Sequence, residues 1–380
     1  MLFGAGLGWG VLVPAPVAVG RLWRWAPVWK TVRPLVGERV RLARSYPLFV
    51  GGVAVADEES CRFTEHLPLR ELAVQALGVR VARVERLRGG TKKGVYRLVT
   101  ATGFAVIAYV WSERENFWPV FGQGRREDPF AHADGVELFV AARDRLARAG
   151  VRVPAVHVVK RDHPESGADV ALVEEVPGPT LEEYLAWGDT ARVERVLGRL
   201  RTSLEAMAAR TGPGFGKVSR PLDGERECVP WVVERARADL AEGARRRAEL
   251  GRVRRRVAAL LEESAARVEP RRRYGLVHGE LGPDHVLVDT DGEPVLIDVE
   301  GLMFFDVEWE HAFLRLRFGE WYRYLKVPGL DAARLDLYVL AQRLSLVAGP
   351  LRLLEGDFPD RRVMMDIVEH NLAWVLDRVG

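Results

Sequence analysis

Residues 277–301 constrain the fold more than any other part of the chain. They read Val277-His278-Gly279-Glu280-Leu281-Gly282-Pro283-Asp284-His285, then Val286-Leu287-Val288-Asp289, a turn at Asp291-Gly292, and Leu296-Ile297-Asp298-Val299-Glu300-Gly301. Short apolar runs bounded by glycine, proline and acids are strands joined by tight loops. Packed so closely in sequence, the two polar loops fall at one cleft. A proton acceptor and a metal-binding carboxylate can then stand together. Phosphoryl transfer needs that pair, one group to orient a hydroxyl and another to hold the Mg²⁺ that offsets phosphate charge. Asp298 ends an apolar strand, where a charge without a ligand is costly.

This spacing resembles the catalytic and metal-binding loops of the aminoglycoside phosphotransferase family, small-molecule kinases with a protein-kinase-like fold. That family usually writes His-Gly-Asp with an Asn five residues after the Asp. Glu280 stands at the Asp position here and His285 at the Asn position. The resemblance implies an α+β, two-lobed fold. A small N-lobe with an antiparallel sheet would span residues 67–176, and a larger, mainly helical C-lobe 177–380. It further implies ATP and Mg²⁺ as cofactors and a small-molecule acceptor whose hydroxyl Glu280 orients. Asp298 holds Mg²⁺ on this reading, with His285 at the second metal position and Glu300 as an auxiliary ligand. Glutamate adds a methylene to aspartate, displacing the acceptor oxygen by roughly an ångström, and a misplacement of that order costs about a hundredfold in rate. Imidazole nitrogen is a poor substitute for an amide oxygen on Mg²⁺, so either Asp284 supplies an oxygen instead or one metal binds. His278 is expected to buttress the loop.

Upstream, residues 81–88, 95–100 and 104–111 alternate as strands, preceded by a short helix over 69–77. Between the first two strands lies Gly89-Gly90-Thr91-Lys92-Lys93-Gly94, a turn whose glycines permit close backbone approach to phosphates. A kinase-like site places a lysine on the third strand, but Phe104-Ala105-Val106-Ile107-Ala108-Tyr109-Val110-Trp111 contains none. The family's lysine position falls near Ala108 or Tyr109. The chain has only six lysines against fifty arginines. Of these, Lys92 and Lys93 are expected to reach the phosphates, an arrangement similar to that of the with-no-lysine protein kinases. Lys30, Lys160, Lys217 and Lys326 are set aside. A helix over 131–149 carries Glu137, the counterpart of the family's lysine-pairing glutamate. Strands over 153–160 and 169–175 lead to Val176-Pro177-Gly178-Pro179-Thr180, which resembles the hinge between lobes. Backbone near Glu174, Glu175 and Val176 is expected to bind the adenine edge, and Thr180 to cap the next helix.

Residues 190–210 and 230–268 read as helical, with Asp306 the expected brace of the catalytic loop. Arginine runs at 245–247 and 254–256 are interleaved with Glu242, Glu249, Glu262 and Glu263, the pattern of a solvated helix face. With a formal charge of +3, they give no case for nucleic acid. Residues 2–20 are apolar but broken by Pro14 and Pro16 and loosened by Gly4, Gly6, Gly8 and Gly10, and no basic residue precedes them. Residues 1–66 are read as a poorly ordered extension. Membrane contact through the following tryptophans and arginines is the alternative. Two cysteines, Cys61 and Cys228, without ligand spacing leave a reducing cytoplasm as the default. The competing functional reading is a pseudokinase or binding protein of the same fold, favoured by the missing strand lysine, Glu280 and His285.

Overall fold

A computed structural model describes residues 64, 66–118, 128–131, 135–212, 214–222 and 227–380. The expectations for residues 1–63, membrane contact included, lie outside the described residues.

Helix α1 (His66–Leu77) is followed by β1 (Val81–Arg86), β2 (Gly94–Thr100) and β3 (Ala105–Trp111). Helix α2 (Val136–Arg148), β4 (Val156–His163) and β5 (Ala168–Glu174) complete the first lobe. The five strands form one antiparallel sheet in the order β1-β2-β3-β5-β4. Alternation decides its two faces. Tyr96, Leu98, Val106, Ala108, Val110, Val170 and Leu172 pack with Leu69 and Leu72 of α1. Tyr109, Trp111, Ala171 and Val173 turn the other way, against Val136, Phe139, Ala142 and Leu146 of α2. Helix α2 begins at Val136, five residues later than expected, after a Gly135 with φ of 103°.

Val176 to Pro179 then connects to α3 (Leu181–Trp187), whose N-terminus carries the expected Thr180 cap in a full capping box with Glu183. Helix α4 (Thr190–Ala208), the two-residue β6 (Gly216–Lys217), α5 (Val229–Arg246) and α6 (Ala248–Ala266) follow. The single helical stretch expected over 230–268 is interrupted at Arg247, where the backbone is extended and the guanidinium pairs with Glu369 and Glu249. Next come β7 (Gly275–Val277), β8 (Val286–Val288), β9 (Pro294–Leu296) and β10 (Met303–Phe305). Helices α7 (Val307–Phe318), α8 (Ala332–Leu353) and α9 (Arg361–Val379) close the chain. Strand β10 lies between β6 and β7, and β8 and β9 form a separate two-stranded sheet. The architecture is the expected α+β arrangement of a sheet lobe and a mainly helical lobe. Among the described residues, no helix is long and apolar enough to cross a membrane.

Candidate active site

The turn between β1 and β2 is tight because its glycines allow it. Gly89 has φ of 110°, and a Cβ on Gly90 would stand 2.2 Å from the Lys93 carbonyl oxygen. A Cβ on Gly94 would meet the Glu115 carboxyl carbon at 2.5 Å. Glu115 lies just beyond β3 and is fully buried. It accepts from the Thr64 backbone N–H at 2.9 Å, from Arg86 at 3.1 Å and from the Tyr96 hydroxyl. Sequence reasoning missed this support, whose signal was a glutamate pair, Glu113 and Glu115, soon after an apolar strand.

The turn drops Lys93 inward, where it is 7% exposed. Its Nζ lies 2.6 Å from Asp298 Oδ1 and 2.6 Å from Glu300 Oε1, spanning more than two hundred residues of sequence. It also stands 5.1 Å from the centroid of Tyr109, the aromatic residue near the position where a kinase strand carries lysine. Burial alone would lower the pKa of this ammonium, but Asp298 and Glu300 outweigh it and hold the group well above its usual range. Burial would likewise raise the Asp298 carboxyl, yet Lys93, followed by His285, holds it well below the carboxylate range. Asp298 adopts a left-handed backbone with φ of 57° and ψ of 45°, an uncommon conformation for a residue other than glycine. Lys92 takes a different course, with its Nζ 5.9 Å from the Trp118 ring. Of the two, Lys93 therefore reaches the carboxylates.

On the catalytic-like loop, Glu280 is open to solvent but ringed by charge. Lys92 foremost, against burial and Asp298, holds its carboxyl below the ordinary value, with help from Lys217 and His285. The His285 ring is fixed by its Nδ1–H, which donates to the Glu280 carbonyl at 2.8 Å. Its Nε2 then faces Asp298 Oδ2 at 3.7 Å and Asp284 Oδ2 at 3.8 Å. Burial acts to lower its pKa, but those two carboxylates prevail and raise it. Asp284 does not turn wholly inward, because Arg317 holds its Oδ1 at 2.8 Å. His278 is buried against this ring, with centroids 5.9 Å apart, and bonds the Ile297 carbonyl through Nε2 at 3.0 Å. Burial, with His285 adding to it, pulls its pKa down to about 4, so it stays neutral and acts as a spacer between the loops.

The brace beneath the loop is Glu310, not Asp306. Glu310 Oε2 accepts the backbone N–H of His278 and that of Gly279, the latter at 3.0 Å. Asp306, expected there, is instead bound by Arg334 and Tyr338, each at 2.5 Å, in the interior of the helical lobe. Both acids point inward one helical turn apart, which is why sequence did not separate them. Glu137 is not brought to the lysine. It lies on the surface and pairs with Arg161 at 2.6 Å, while Glu300 takes the place beside Lys93. Glu175 binds Arg97 through both oxygens at 2.5 and 3.2 Å, and Val176 is buried where the chain leaves the sheet. Lys217, set aside in the sequence, enters the cleft. Its Nζ donates to the Gly301 carbonyl at 3.1 Å.

Among the described residues, no group of three or more His, Cys, Asp and Glu side chains could hold a metal ion. One carboxylate with phosphate oxygens suits Mg²⁺, which keeps several waters and usually takes one or two protein carboxylates. Asp298 meets that requirement through Oδ2, whereas His285 offers nitrogen where Mg²⁺ prefers oxygen.

Comparison with known proteins agrees with the fold. The aminoglycoside phosphotransferase APH(4)-Ia, as a thermostable mutant in its apo form, is 18% identical with a TM-score of 0.56, covering 80% of this chain and 98% of that one. Spectinomycin phosphotransferase APH(9)-Ia, in complex with ADP and its antibiotic, is 14% identical with a TM-score of 0.55, covering 82% and 97%. At such identities the likeness shows the fold, which is protein-kinase-like. No curated protein matches the sequence. The model of the phosphotransferase enzyme family matches residues 83–358, from β1 to just short of α9, and the chain belongs to that family.

Proposed function

We propose that this protein is an ATP-dependent phosphotransferase acting on a hydroxyl group of a small molecule. The observation that carries the reading is Lys93, buried between Asp298 and Glu300 with Tyr109 beneath it. A kinase site requires a lysine for the nucleotide phosphates, tied to an acid, beside the metal-holding aspartate. Here the lysine comes from the glycine turn and its acid from the metal loop, so the departure on β3 is offset within the same cleft.

In this reading Gly89 and Gly90 let the turn close over the phosphates, and the backbone at Glu175 and Val176 receives the adenine edge. Asp298 Oδ2 would hold Mg²⁺ together with phosphate oxygens, and that ion, when bound, offsets charge on the transferring group. His285 serves chiefly to fix the Glu280 carbonyl, and so the position of the Glu280 side chain. Glu280 orients the acceptor hydroxyl and accepts its proton, a role that suits a carboxylate kept ionised by Lys92. A free, buried Cys228 and a need for ATP fit a reducing cytoplasm.

The test is calorimetric titration of ATP with and without Mg²⁺. Binding should require Mg²⁺ and vanish in Asp298→Ala. Lys93→Met should weaken it at least about tenfold, the scale of a lost charge-assisted contact. Absence of ATP binding under both conditions would reject the enzyme in favour of a pseudokinase.

A further inference from the structure

Three of the six lysines meet at this cleft in a chain that otherwise writes its cations as arginine. They are not equivalent. Lys93 is paired twice over, whereas Lys92 and Lys217 form no ion pair among the described residues. Lys217 is also the more confined, since it sits in β6, where Gly216 and Lys217 pair with Phe304 and Met303 of β10. That ladder, with the Gly301 carbonyl 3.1 Å from Nζ, ties the lysine to the strand that follows the metal loop. The charges that bear on it are Lys92, Glu280 and Asp128, and burial with Lys92 brings its pKa down to about 8.

A half-buried ammonium with one carbonyl partner and a second ammonium nearby is unfavourable unless an anion joins them. Glu280 alone does not fill that role, because its side chain makes no hydrogen bond with either lysine. Choice of residue type points the same way. A guanidinium would clamp the Glu280 carboxylate through two parallel bonds and quench it, whereas an ammonium is a compact charge that leaves the carboxylate free. His285, which stands where the resembled family writes asparagine, faces Asp298 Oδ2 with a nitrogen at 3.7 Å, a poor ligand for a second Mg²⁺.

We propose that Lys217 is a further catalytic residue, whose ammonium meets the transferring phosphoryl group together with Lys92 and supplies charge that a second metal ion would otherwise supply. This deepens the phosphotransferase reading and rests on it. In the step itself the acceptor oxygen bonds to the γ-phosphorus as the bond to the β,γ-bridging oxygen breaks. The electron pair leaves on ADP, and the hydroxyl proton passes to Glu280. Lys217 and Lys92 neutralise the equatorial oxygens while those bonds exchange.

Fluoroaluminate with ADP mimics the planar phosphoryl group without any acceptor. Calorimetry would compare ADP with ADP plus fluoroaluminate, both with Mg²⁺, for the wild type, Lys217→Met and a surface control, Lys160→Met. The wild type and the control should bind the analogue about a hundredfold more tightly than ADP. Lys217→Met should keep ADP affinity within about twofold and lose most of that gain. Lys217→Gln repeats the test should the methionine variant not fold, as judged by its melting curve. An undiminished gain in the folded variant overturns the proposal, as does a wild type that binds ADP but gains nothing from fluoroaluminate. A wild type that does not bind ADP rejects the phosphotransferase reading itself.

Discussion

Two loops in this protein rest on a buried glutamate, and the two glutamates are held in opposite ways. Glu115, under the glycine turn, is paired with Arg86, receives the Tyr96 hydroxyl and takes the Thr64 N–H. Its charge is matched. Glu310, under the catalytic-like loop, receives two backbone N–H groups through Oε2 but no cation, and its Oε1 has no partner in the structure. Burial pushes its pKa up to about 7. One brace is thus fixed by charge and the other titrates near neutrality, although each does the same mechanical work.

The largest effect that would break the comparison is at Glu115. Glu115→Ala leaves Arg86 and Tyr96 buried without their shared partner, and should cost about 3–5 kcal/mol in denaturant unfolding. A loss below about 1 kcal/mol would mean the turn does not depend on this pairing. Glu310→Ala strands two backbone N–H groups instead and should cost about 2 kcal/mol.

Glu310→Gln sharpens the contrast, because the amide oxygen keeps both acceptor bonds while the titration is removed. The folded pKa of Glu310, about 7, exceeds its ordinary 4.5, so the folded state binds the extra proton between those values. Its contribution to stability is therefore full below pH 4.5 and declines as pH rises towards 7. The urea midpoint of the wild type relative to that of Glu310→Gln should show that decline from pH 4.5 to 7, since the difference cancels every other titrating group. Glu115→Gln should leave the decline in place. His278 shifts as far in the other direction, its folded pKa of about 4 lying below the ordinary 6.5. Its sign is opposite, with stability lost as pH falls through that interval. Imidazole NMR should show His278 neutral at pH 5.5, and a ring already charged there would contradict its burial between the loops.

What the sequence made legible was local. The strands, the glycine turn and the pair Glu280 and Asp298 each announce themselves through alternation, turn residues or a charge at the end of an apolar run. Glu137 was misassigned although a signal existed. The buried positions of α2 are Val136, Phe139, Ala142 and Leu146, and Glu137 lies about 100° around the helix from Val136, off that stripe. Asp306 and Glu310 could not be ranked, since every residue from Glu308 to Leu314 in α7 is buried and the helix has no outward face there. Lys217 was invisible for another reason. It stands on a two-residue strand whose place depends wholly on β10, nearly ninety residues later. Lysine scarcity was the available clue, and it was applied only to the glycine turn.

Gly178, in the link between the lobes, has a consequence for how the cleft moves. A Cβ there would stand 1.9 Å from the Val288 carbonyl oxygen, and on either side the chain is stitched to β8 by Val288 N–H to the Pro179 carbonyl at 2.9 Å and by a bridge from Thr180 to Leu287. The link therefore has no slack of its own. It works less like a hinge pin in open space than like a lever whose short arm is the β8–β9 hairpin, which ends at Asp298. Any tilt of the sheet that closes the cleft is handed directly to Asp298, the residue proposed to hold the metal.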